Sequence, residues 1–318
     1  FQIAEKQYKE GNKYLVPCLQ HLVVLIQDSV PALIRQVQET VNFCKKSSQS
    51  AVDSREDSRR RYNYGLVLLS IMNCSLFQEL FFNTLYLDQL FSMMDGLETD
   101  VSHSSFQDSA KNTLMQIYEK IVSNARLAET MQEYIAGNIF PRLLSKITTR
   151  VEQSDIKFGC IKLVIYLVGF YLSEEFLYNS TILSATNKQV LELISDKLLT
   201  AVDILMSDKE PIPAFTLKLL ALLFELQPSL MKAFKKLGKL GIVLDLYDSN
   251  SPRLTQHTLK IVQSLCASGE LASQQLSQLL PKTKKILNHY IETSQELFLE
   301  YPLDILLTII SVLYKDKK

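Results

Sequence analysis

Apolar residues return every three or four positions along almost the whole chain. Leu217, Leu220, Leu223 and Phe224 step by three, three and one, and Leu259, Val262 and Leu265 step by three. That spacing lines side chains along one face of a 3.6-residue turn and predicts amphipathic helices. No two-residue alternation persists long enough to predict a sheet. The most apolar helices centre on Leu66–Ile71, Leu114–Ile121, Ile161–Tyr166, Leu217–Phe224 and Leu259–Leu265. Their markers Leu66, Leu114, Ile161, Leu217 and Leu259 stand 48, 47, 56 and 42 residues apart. A second apolar helix accompanies each. Its expected openings are Tyr14-Leu15-Val16-Pro17, Tyr86-Leu87-Asp88-Gln89, Ile139-Phe140-Pro141, Leu240-Gly241-Ile242 and Leu279-Leu280-Pro281, with a weaker one over 187–207. Pro suits a first helical turn, where its missing N–H would have no partner anyway.

The pattern is an imperfect repeat. Residues 212–250 and 254–292 both read as apolar helix, turn, apolar helix, and Thr216-Leu217-Lys218 matches Thr258-Leu259-Lys260 at a spacing of 42. This lies inside the roughly 40–47-residue period of HEAT and armadillo units. One such unit cannot bury its apolar face alone and must stack on its neighbours. The fold expected is therefore all-α: a right-handed α-solenoid of about five to seven divergent armadillo/HEAT units, running as a single domain through residues 1–318. Residues 46–62, 96–108 and 178–187 read as polar surface connections, none long enough to separate domains. The last helix, Pro302–Tyr314, presents Leu303, Ile305, Leu306, Ile309, Ile310 and Leu313 and ought to pack on a further unit. The start at Phe1, with no initiator Met, leads us to expect a piece of a longer chain.

Composition narrows the function classes. Hydrophobic residues make up 47%, enough for an extended core, and nine Gly and nine Pro in 318 residues are too few for a turn-rich β fold. Lys and Arg number 34 against 34 Asp and Glu. A dedicated nucleic-acid binder would carry a basic excess. Cys18, Cys44, Cys74, Cys160 and Cys266 are odd in number, scattered and without a CxxC, as expected of buried reduced thiols in a cytoplasmic protein. No apolar run approaches the roughly 20 residues of a membrane span.

No constellation for chemistry is legible. His21, His103, His257 and His289 lie far apart, without HExxH or a nearby second ligand. GxSxG, a Walker loop and kinase signatures are absent, and Gly238 reads as a helix terminator. The expectation is a non-enzymatic protein with no cofactor, metal or small-molecule substrate. Basic residues do cluster. Arg55 and Arg59 to Arg61 form one group; Lys232, Lys235, Lys236 and Lys239 a second, suited to acidic tubulin. Lys282, Lys285 and His289 share a helical face by their three- and four-residue steps. Arg142 follows Pro141 as Lys282 follows Pro281, with Lys146 one turn on. These five residues, Arg142, Lys146, Lys282, Lys285 and His289, are the expected protein-binding strip. An acidic peptide segment is the expected ligand. Asp245 interrupts it.

Residues Glu210–Gly238, EPIPAFTLKLLALLFELQPSLMKAFKKLG, resemble the C-terminal armadillo-type region of Fused and related Unc-51-like kinases. The chain does not resemble karyopherin-α, whose groove depends on repeated Trp; there is no Trp here. The resemblance implies an interaction scaffold on ciliary, axonemal or cytoskeletal assemblies, or a regulatory region controlling a kinase on the same polypeptide. It carries over no catalytic residue.

Overall fold

The computed structural model describes residues 21, 24–35, 66–73, 78–79, 82–93, 105–149, 154–173, 181–248, 251–295 and 298–315. Among them every regular element is helical, as the spacing predicts. The chain forms two compact units, Phe1–Ile139 and Phe140–Lys318.

The first unit contains α1 (24–35), α2 (66–72), α3 (Thr84–Ser92), α4 (Ser105–Val122), α5 (Ala125–Thr130) and α6 (Gln132–Tyr134), then a π-helical turn, Ile135–Ile139. Helix α1 buries Ile26, Val30 and Ile34, one residue per turn. Helix α3 begins at Thr84 rather than in the expected Tyr86–Gln89 opening. Its start is set by Asn83, whose side-chain oxygen accepts the Leu85 N–H at 2.8 Å. Asn124 caps α5 in the same way, accepting from Leu127 at 2.9 Å. Between α3 and α4 the Phe91 and Tyr118 rings stack at 4.6 Å, and the Tyr118 hydroxyl donates to the Leu90 carbonyl at 2.6 Å.

The second unit comprises α7 (Phe140–Thr148), α8 (Ser154–Tyr171), α9 (Thr181–Leu193), a π-helical turn Ile194–Leu198, α10 (Val202–Met206), α11 (Ile212–Leu226), α12 (Ser229–Lys236), α13 (Leu240–Asp245), α14 (Pro252–Ala267), α15 (Ser273–Glu292) and α16 (Glu300–Lys315). The long helices α8, α11, α14 and α16 form one row, each packed on the next. Helix α7, the Ile194–Leu198 turn with α10, and then α12 follow one another beside that row, and α13 and α15 pack on α14 and α16 respectively. Covered on several sides, α11 buries ten residues, among them Leu217, Leu220 and Phe224. Its repeat partner α14 buries Leu259, Val262 and Leu265.

The repeat match extends to polar detail. Thr216 and Thr258 are buried and donate to the Ile212 and Leu254 carbonyls one turn back, both at 2.9 Å. Gly238 ends α12 with φ +72°, as expected, and Gly269 ends α14 with φ +69°. In each the next residue's N–H reaches back to the helix, Lys239 to Phe234 and Glu270 to Leu265. Lys235 ties the two ends together, donating to the Glu270 carbonyl at 2.6 Å and approaching its carboxylate at 3.3 Å.

Further expectations need correction. Residues 178–187 do not all form a surface connection, since α9 starts at Thr181 and buries Thr186 and Asn187. The Ser/Thr/Asn composition reads as loop, but these positions lie four and seven residues before the buried Val190 and Ile194 and share their helical face. Leu279-Leu280-Pro281 does not open a helix either, because Pro281 lies inside the 20-residue α15. The Ser277 carbonyl that loses its partner there belongs to an exposed residue, so water can satisfy it. The Leu240-Gly241-Ile242 opening does start α13. The expected opening at 14–17 and residues 46–62 lie outside the described residues. So do residues 96–104 of the expected 96–108 connection; from Ser105 the chain is already α4.

Candidate protein-binding surface

Helix α15 carries three of the five expected site residues. Its buried edge, Leu276, Leu279, Thr283, Ile286 and Tyr290, turns the intervening positions toward solvent. Thr283 is fully buried and hydrogen bonded to the Tyr247 hydroxyl at 2.8 Å, which fixes the rotation of α15 against the segment following α13. Burial, only partly offset by that hydrogen bond, holds the Tyr247 phenol above its ordinary range, so it stays a neutral partner.

With that rotation set, Lys285 and His289 line a recess of about 370 Å³ between α15, the start of α14 and the turn after α15. Arg253 of α14 faces into it, and Ile286, Tyr290 and Phe298 form an apolar floor. The Tyr290 ring lies 5.9 Å from Phe298 and 6.0 Å from His289. Lys282, one turn earlier, forms an ion pair with Asp248 at 3.1 Å, which offsets the carboxylate on the recess wall. The recess therefore combines an aromatic floor with an Arg, a Lys and a His at its edge. It can take a side chain with an apolar body while its rim attracts neighbouring carboxylates.

Arg142 and Lys146 lie apart from this recess on α7, which packs on α8, the Ile194–Leu198 turn and α10. Both are half-buried and already engaged within the chain. The five expected residues thus fall into two groups rather than one strip. Pro141, the marker used to align them, stands second in α7, whereas Pro281 is in the ninth position of α15.

The second basic cluster is partly consumed internally. Lys239 pairs with Asp203 and Lys235 with Glu270, so both link neighbouring helices. Lys232 and Lys236 are exposed. The Arg55 to Arg61 cluster lies outside the described residues, as do His103, Cys18, Cys44 and Cys74. Cys160 and Cys266 are buried thiols, and burial pushes Cys266 up to about 12, leaving it protonated. Among the described residues no group of His, Cys, Asp and Glu is arranged to hold a metal ion. In that same set no helix is long and apolar enough to cross a membrane.

Sequence reasoning did not single out His257 as a member of any site. It is half-buried on α14, and burial followed by the nearby charges of Lys218 and Lys260 lowers its pKa to about 4. The folded state keeps this imidazole neutral where an unfolded one, near 6.5, would be charged. Unfolding therefore takes up a proton between these values, and stability falls as pH drops from about 6.5 to about 4. After allowance for screening at a half-exposed group, the expected loss is about 1–2 kcal/mol. Urea midpoints at pH 7 and pH 5 should show it, and His257→Gln should flatten it.

Such stacked helical pairs define an α-solenoid of repeats. The chain belongs to the family described as the HEAT repeats of ULK4-like serine/threonine-protein kinases, whose model matches residues 29–232. It is 23% identical over 283 residues to the serine/threonine-protein kinase RUNKEL of Arabidopsis thaliana. That match covers 87% of this chain and 20% of the relative, so the chain spans about a fifth of the kinase's length. Among solved structures it is similar in fold to the designed armadillo repeat protein YIII(Dq)4CqI, with TM-score 0.56 and 12% identity over 88% of this chain and 99% of that one. A second designed armadillo protein, YIII(Dq.V1)4CPAF in complex with peptide (KR)4, matches with TM-score 0.54 and 13% identity over the same shares.

Proposed function

We propose that this chain is a non-catalytic protein-interaction scaffold and that the α14–α15 recess anchors an acidic segment bearing an aromatic residue. The observation that carries the reading is the recess itself, where Arg253, Lys285 and His289 rim a floor of Ile286, Tyr290 and Phe298. Because the family is one of kinase-associated repeats, the natural setting is a regulatory region on a kinase or pseudokinase polypeptide. A ciliary, axonemal or cytoskeletal setting rests on the family resemblance alone. The tubulin reading loses support because Lys235 and Lys239 are spent on internal ion pairs.

The test is fluorescence anisotropy with a labelled Glu-Glu-Phe-Glu-Glu peptide. Arg253→Glu with Lys285→Glu should weaken binding about tenfold or more, equivalent to about 1.4 kcal/mol. Folding should stay intact, since exposed charge changes usually cost within about half a kcal/mol. Wild-type binding should fade as salt screens the rim charges over about 8–10 Å. Equal binding by the doubly reversed variant would remove the recess from the reading.

A further inference from the structure

The repeat register does more than stack apolar faces. The markers that align α8, α11 and α14 are Ile161, Leu217 and Leu259, all buried. In each helix the next residue is a lysine: Lys162, Lys218 and Lys260. The preceding positions, Cys160, Thr216 and Thr258, are buried too. Three consecutive helices of one row thus carry a lysine directly after two buried positions. Lys218 is exposed, while Lys162 and Lys260 are half-buried. Lys162 already has a partner within the chain, so the rungs of the row are Lys218 and Lys260.

Aromatic rings lie beside two of these ammonium groups. Lys218 sits over the Phe215 ring at 5.6 Å, and Phe215 meets Phe158 of α8 edge to face at 4.7 Å. Lys260 sits over the Tyr301 ring of α16 at 5.5 Å. At the far end α16 offers Asp304, which accepts from Gln263 at 2.8 Å; its negative charge ends the lysine series. His257, one turn from Lys260, is close enough to both Lys218 and Lys260 to feel their charge.

We propose that Lys218 and Lys260 form a two-rung ladder that binds an acidic segment in the polyproline II conformation, with a carboxylate at every third residue. The spacing argues for that conformation. Packed helices stand about 8–10 Å apart. A polyproline II chain repeats its face every three residues at about 3.1 Å each, or roughly 9 Å. Carboxylates at every third position would therefore meet successive rungs. A β-strand sends residues three apart to opposite faces and cannot do this. Phe158, Phe215 and Tyr301 supply the ring surfaces on which the intervening prolines pack. This surface uses no residue of the α14–α15 recess, so the two readings stand or fall separately.

The test compares two labelled peptides of identical composition, four repeats of Glu-Pro-Pro and a block isomer with four Glu followed by eight Pro. The periodic peptide should bind the full 318-residue chain at least tenfold more tightly than the block isomer. Lys218→Glu with Lys260→Glu should abolish that preference, whereas Lys188→Glu, at an exposed position of α9 outside both surfaces, should leave it unchanged. Circular dichroism checks the fold, and if the reversed variant is unfolded, Lys218→Gln with Lys260→Gln gives the same comparison. Equal binding of the two peptides would reduce the ladder to net-charge attraction and overturn the proposal. Undiminished preference in the neutralised variant would overturn it as well.

Discussion

Replacing Asp208 by Ala should destabilise the chain by about 3 kcal/mol, although the residue lies in a short polar connection before α11. The reason is its partner. Lys157 of α8 is only 2% exposed and donates to the Asp208 carboxylate at 2.7 Å. The same carboxylate accepts from the Ser154 hydroxyl at 3.1 Å and the Lys209 N–H at 2.8 Å. Desolvation would raise the pKa of Asp208, but the Lys157 bond, the Lys209 N–H and the Ser154 hydroxyl together outweigh it and hold the carboxyl below its usual range. Removing the carboxylate strands a buried ammonium, a loss that typically costs about 3–5 kcal/mol. The lower end applies because Asp208 itself keeps 15% exposure. Urea denaturation checks the value. A second substitution, Lys157→Met, should recover part of the loss by removing the stranded charge, and a double variant no better than Asp208→Ala would sink this account. With the folded pKa depressed, the contribution is present above the unfolded value near 3.9 and is lost as pH falls through the folded one.

Leu220→Ala and Leu265→Ala should each cost about 2–5 kcal/mol. Leu220 is 1% and Leu265 0% exposed, on the packed helices α11 and α14. Each truncation removes buried methyl groups and leaves a cavity that close-packed neighbours only partly fill. Thermal and urea denaturation with matched slopes would give the difference. A loss below about half a kcal/mol, the range of an exposed site, would mean these faces do not carry the core.

These two results draw on parts of the molecule that differ in how readable they were. Leu220 and Leu265 were legible because helical burial recurs at three- and four-residue steps and needs no knowledge of distant residues. The Thr-Leu-Lys match at 216 and 258, read from the sequence only as a repeat period, corresponds to equal burial of the Thr and Leu pairs and to equal back-bonding. Lys157 was not legible, since nothing near it in sequence announces that its partner stands 51 residues away. Pro281 misled because a proline preference for first turns is statistical, while an exposed helix face lets water satisfy the freed carbonyl. The recess was half legible. Lys285 and His289 follow from helical spacing, but Arg253 and Phe298 join them only through tertiary packing. Arg142 and Lys146 were aligned by a proline marker that occupies different helical positions in α7 and α15.

The row α8, α11, α14, α16 has one further consequence. Each helix leans chiefly on its immediate neighbours, so strain decays within a link or two instead of spreading through a common centre. Damage is thereby quarantined: a lesion in α8 loosens its junction with α11 and leaves that between α14 and α16 in place. Inherited variation in one helix should accordingly be compensated in the helix beside it, and the pairs of compensating positions would trace the order of the links.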